Sequence, residues 1–111
     1  MITEIKIVTQ WDDVITDLRN IFIEKIRLYG IGRYQKFGDE FNYWMCFSDV
    51  YRKTLRLEQL TIIALSDIQQ GACSYSGSDV KEAQAKLIDD YKDIANYAIM
   101  AVQILEKKNE T

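Results

Sequence analysis

A chain of 111 residues fits one domain, and its 48% hydrophobic and 28% charged content allows a buried core and argues against disorder. The net charge of −3 at pH 7 speaks against a basic nucleic-acid footprint, so no direct nucleic-acid binding is expected. Histidine is absent, which removes Ser-His-Asp and Cys-His catalysis and imidazole metal ligands; proline is absent, which permits long unbroken helices.

Residues 1–8 alternate weakly through Ile2, Ile5 and Ile7 and are expected to form a short strand or an N-terminal arm. A helix is predicted from Thr9 to Tyr29, with Thr9 and Asp12 as its capping pattern and Gly30 as its C-cap. Its apolar positions, Trp11, Val14, Leu18, Phe22 and Ile26, follow helical spacing. Residues 30–39 form a glycine-punctuated connection with no phosphate-loop pattern. Asp39 or Glu40 then opens a second helix that runs to about Ile68, with room for a break near Gln59 to Thr61. Phe41, Trp44, Met45, Phe47, Val50, Tyr51 and Leu55 make it apolar on more than one face, which predicts burial. Gly71 to Asp79 is a loop, and Asp79 with Glu82 is the expected capping box of the last helix. That helix is predicted from about Val80 to Lys107, with residues 108–111 frayed. At ~40 Å it is long for a domain with a radius of gyration of ~13 Å, so its end is expected to pack on another subunit. The fold class is therefore all-α: one domain over residues 1–111, a bundle of three to four long helices, oligomeric.

With no histidine, chemistry must run on carboxylates, amines, hydroxyls or a metal held by oxygen. Cys46 and Cys73 lack metal spacing, and Cys46 in its aromatic segment is expected to be a buried small hydrophobe. Neither a signal peptide nor a membrane-spanning apolar run is seen, so a reduced, cytoplasmic setting is expected.

Three groups stand out. Asp89, Asp90 and Asp93 cluster on the last helix, and carboxylates one turn apart can share a divalent cation such as magnesium. The plainer alternative is a solvated acidic face paired with Lys86 and Lys92. Asn96 and Tyr97 lie just beyond, where the helix turns apolar and an amide needs partners. On the second helix Asp49, Lys53 and Arg56 share one stripe; the two cations could hold phosphate oxygens, or Asp49 and Lys53 could form a simple i,i+4 pair. Acid and base stripes facing each other would favour the functional reading. At the end of the first helix Lys25 could contact phosphate and Tyr29 could stack on a base, the alternative being a surface ion and a core aromatic. Tyr34, Phe37, Phe41, Tyr43 and Trp44 could line a nucleobase pocket or simply be core.

The segments IFIEKIRLYG (21–30), FSDVYRKTLRLEQL (47–60) and DDYKDIANYAIMAVQIL (89–105) occur in that order. Together they resemble the nucleotide modification associated domain of phages and bacteria, which is similar to the all-alpha MazG-like nucleoside triphosphate pyrophosphatases. The resemblance spans roughly residues 10–106. Its most specific pieces are Lys25-x-x-x-Tyr29-Gly30, Arg52-Lys53-x-x-Arg56-Leu57 and Asp93-x-x-Asn96-Tyr97.

The resemblance implies a MazG-like bundle that forms homo-dimers or larger assemblies in the cytoplasm, the host's if phage-encoded. It also implies magnesium-dependent cleavage of a nucleoside triphosphate to monophosphate and pyrophosphate. Asp90-x-x-Asp93 matches the superfamily's late E-x-x-D motif with Asp in place of Glu. On this reading Asp89, Asp90 and Asp93 hold Mg2+, and Asp90 and Asp93 are catalytic. Lys25, Lys53 and Arg56 take phosphates, while Tyr29, Trp44, Asn96 and Tyr97 contact base or sugar. The superfamily's earlier E-x-x-E motif has no counterpart, since no Glu-x-x-Glu occurs in the chain. The alternative is a catalytically degenerate helical interaction protein, such as a phage-encoded inhibitor or a nucleotide-sequestering module.

Overall fold

The computed structural model describes residues 3–29, 38–66 and 75–109. Among them regular structure is entirely helical: α1 (Glu4–Tyr29), α2 (Asp39–Ala64) and α3 (Gly77–Asn109). The chain divides into two compact units, Met1–Asn42 and Tyr43–Thr111. No described helix is long and apolar enough to cross a membrane.

In the first unit α1 starts five residues earlier than the predicted Thr9, so the expected strand or arm is corrected from Glu4 onward. The cause is Thr3, whose Oγ1 accepts the Lys6 backbone N–H at 3.2 Å and so caps the helix. Thr9 is mid-helix, and its hydroxyl donates back to the Ile5 carbonyl at 2.9 Å, so it caps nothing. Leu18 is buried on this helix. Gly30 and the connection through residue 37 lie outside the described residues. Gly38 then enters α2 with a φ of 69°, a left-handed conformation that disfavours any side chain. Its carbonyl accepts the Asn42 N–H at 3.1 Å, closing the first turn. Asp39 and Glu40 in that turn complement the helix dipole.

The second unit contains most of α2 and all of α3. Arg56 meets Asp90, Lys53 meets Asp93, and the Gln84 amide donates to the Ala64 carbonyl at 3.1 Å. One residue number rises as its partner falls, so the two helices run antiparallel. The buried positions of α3 are Val80, Ala83, Asp90, Met100 and Ile104, and Asp90 among them meets α2. Cys46 on α2 is buried, as expected, and falls level with Met100 in this register.

α2 is unbroken through Gln59 to Thr61 and ends at Ala64, short of the predicted Ile68. Ser66 shapes that end: its N–H bonds the Ile63 carbonyl at 3.2 Å and its hydroxyl donates to the Ile62 carbonyl at 2.8 Å. α3 starts at Gly77 because Ser76 and Asp79 cap each other reciprocally: Ser76 N–H to Asp79 Oδ2 at 3.2 Å, and Asp79 N–H to Ser76 Oγ at 3.1 Å. The box is therefore one turn upstream of the predicted Asp79–Glu82 pair. Glu82 instead pairs with Lys86 at 3.2 Å on the surface.

The predicted burial of the second helix's apolar faces is corrected for its aromatic row. Met45 and Val50 are half-buried, but Phe41, Trp44, Phe47, Tyr51 and Leu55 are exposed, whereas the buried row of α2 carries Asn42, Cys46 and Asp49. Lys53, one turn further along that row, is nearly buried. Polar groups thus share the inner face of α2 with Cys46 and Ala64, while an aromatic row stays outside.

Candidate functional site: a charged seam between two helices

Helical spacing sets both sides of the seam. Asp49, Lys53 and Arg56 repeat at four and three residues and so share the inner face of α2; Asp90 and Asp93 are one turn apart on the inner face of α3. The antiparallel register brings the two rows together.

Asp90 is at the centre, with a relative exposure of 1%. Arg56 grips it with two parallel bonds, Nε to Oδ2 at 2.6 Å and Nη2 to Oδ1 at 2.5 Å. This is the two-point geometry that makes arginine the preferred partner of a buried carboxylate. The Lys53 ammonium sits 3.6 Å from Asp90 Oδ1 and 3.0 Å from Asp93 Oδ2, bridging the two acids. Asp49, also buried, accepts from Arg52 Nη2 at 3.4 Å.

Burial alone would push the Asp90 carboxyl's pKa up, because the charged form loses water. The Arg56 hydrogen bonds outweigh that, and with the Arg56 and Lys53 charges they hold it below the ordinary carboxylate range. The same bond raises the Arg56 guanidinium, which stays charged at any working pH.

The seam gathers Lys53, Arg56, Asp90 and Asp93 of the predicted site residues. Asp89 faces solvent beside it, while Asn96 and Tyr97 are half-buried on the following turn of α3. Trp44 is on the outer face of α2, away from the seam. Lys25 is exposed on α1, in the other unit. The Tyr29 side chain, Tyr34 and Phe37 lie outside the described residues.

The sequence reading missed one contributor. Gln84 ties α3 to the end of α2. It did not stand out because its partner is set by tertiary register, which local spacing does not encode. An open cavity of about 280 Å³, with Leu60, Ile63, Tyr75 and Lys86 among its lining, contains no predicted site residue.

Among the described residues no group of three or more carboxylate or thiol side chains is gathered to hold a metal ion. Magnesium needs oxygen ligands, commonly one or two carboxylates plus substrate phosphates. Both Asp90 oxygens are taken by Arg56 and Asp93 Oδ2 faces Lys53, so this arrangement offers a cation no open carboxylate pair. No family model, curated protein or solved structure matches the chain.

Proposed function

We propose that this chain is a MazG-like helical protein that associates with copies of itself and binds (deoxy)nucleoside triphosphates at the seam. One observation supports the reading above the rest: the two stripes singled out for phosphate and acid chemistry converge on one point. The Arg56–Asp90 grip uses Nε and Nη2, which leaves Nη1 for a ligand oxygen on a side chain that is 52% exposed. Lys53 adds a second positive charge beside it, and Asp93 and Asn96 border the same stretch of α3.

On this reading Arg56 and Lys53 receive phosphate oxygens, Asp90 orients the guanidinium, and Asn96 and Tyr97 border the nucleoside. Cleavage to monophosphate and pyrophosphate is the associated activity. Magnesium as its cofactor does not fit the carboxylates as they stand, because Arg56 occupies both oxygens of Asp90 and Lys53 faces Asp93. The test is to titrate the protein with a panel of nucleoside and deoxynucleoside triphosphates, with and without magnesium, following bound nucleotide and released pyrophosphate. The reading expects saturable binding that Lys53→Met weakens. No binding to any member of the panel overturns it.

A second reading, a non-catalytic helical interaction protein, draws on the exposed aromatic row of α2. Nucleotide binding without pyrophosphate release selects its sequestering form; no nucleotide binding at all leaves the interaction form.

A further inference from the structure

α2 and α3 each carry an apolar row that their mutual packing leaves uncovered. On α2 the row is Trp44, Phe47, Tyr51 and Leu55, 52–66% exposed. Its rings are already arranged against each other, Trp44 edge-on to Phe47 at 5.6 Å and Phe47 stacked with Tyr51 at 6.3 Å. Such a surface loses little side-chain freedom on being covered. On α3 the row is Ile88, Tyr91, Val102 and Leu105, 47–56% exposed. Contiguous exposed apolar rows of this size mark interaction surfaces.

We propose that the outer row of α2 is covered by the outer row of α3 from a second copy of this chain, with the two helices antiparallel. This specifies the self-association included in the reading above and does not require nucleotide.

Length supports the pairing. At 1.5 Å per residue, Trp44 to the exposed Ile62 covers ~27 Å and Ile88 to Leu105 covers ~26 Å. Charge supports it as well. With Trp44 level with Leu105, Glu58 falls beside Lys92, and Glu40 falls within a turn of Lys108. Within one chain α2 and α3 already meet through their inner faces, so the outer row of α2 faces away from its own α3.

The area is also sufficient. Eight large side chains losing roughly 100 Å² each remove on the order of 800 Å², and flanking residues bring the contact into the ~1,200–2,000 Å² range of specific interfaces. Made twice, reciprocally, such a contact between unlike faces closes a two-fold dimer; made once per copy it runs round a ring or on into an open filament.

The test is sedimentation velocity of the full chain without nucleotide over a wide concentration range. The proposal expects a species larger than the 13.0 kDa monomer that dissociates on dilution. Phe47→Asp, at an already exposed position, is expected to give a monomer with unchanged helical circular dichroism. Glu58→Lys is expected to weaken association by at least about tenfold, and mixing it with Lys92→Glu to restore it. A monomer at every concentration overturns the proposal, whether α1 of the same chain or another protein covers the row. So does an oligomer insensitive to Phe47→Asp, or one that the charge swap does not restore. Since nucleotide is absent, failure here leaves the nucleotide reading standing.

Discussion

Arg56 holds Asp90 across the hairpin with two short hydrogen bonds, over a sequence separation of 34 residues. The carboxylate is sealed from water while the guanidinium keeps a solvent-facing edge. The pair is thus a fastener between α2 and α3 and an outward-facing cation at the same time.

Removing Arg56 leaves the buried Asp90 carboxylate without its main partner, so Arg56→Leu is expected to destabilise the fold by about 2–4 kcal/mol. Asp90→Leu leaves a half-exposed guanidinium that water can solvate, so it is expected to cost less, about 1–2 kcal/mol. The double variant is expected to recover much of the loss, because apolar replacement of both partners removes the desolvation cost as well as the attraction. Urea unfolding of the four proteins measures this directly. Additive losses in the double variant contradict the coupling. Glu82→Ala, which removes a surface pair, is the control and is expected to change stability by no more than ~0.5 kcal/mol.

The pH dependence follows from the sign of the Asp90 shift. Its folded pKa lies below the ordinary carboxylate value, so its contribution is fully present above that value and is lost as pH falls through it toward the folded pKa. The stability difference between the wild type and Asp90→Asn is expected to be flat above about pH 5 and to narrow below about pH 4. A difference that instead narrows between neutral and alkaline pH contradicts the assignment.

The helix starts can be checked by two matched substitutions. Ser76→Ala is expected to cost about 1 kcal/mol by removing an N-cap oxygen. Thr3→Ala is expected to cost about 0.5–1 kcal/mol, whereas Thr9→Ala, which loses only a mid-helix hydroxyl bond, is expected to be neutral within ~0.5 kcal/mol. Thermal melts of the three variants provide the comparison. A larger loss at Thr9 than at Thr3 contradicts the observed start of α1.

The helical class was legible in the sequence because three apolar periodicities run without proline. The helix starts were not, since Thr3 and Thr9, or Ser76 and Asp79, offer near-equivalent caps and only the backbone geometry chooses between them. The acidic and basic stripes were legible separately as i,i+3 and i,i+4 spacings. Their meeting was not, because the register of α2 on α3 is a tertiary property. The aromatic row of α2 misled for a physical reason: periodicity tells which residues share a face but not which face turns inward. Here the row with Asp49 and Lys53 turns in, because Asp90 and Asp93 await it there.

The most direct test of the central claim is a nuclear magnetic resonance titration of the labelled protein with a nucleoside triphosphate, following the Arg56 side-chain Nε–H and the backbone amides of both helices. Saturable shifts confined to the neighbourhood of Lys53, Arg56, Asp93 and Asn96 are expected, with the Arg56 signal moving most. Saturable shifts elsewhere with the seam silent, or no shifts at all, contradict the claim that the seam is a nucleotide site.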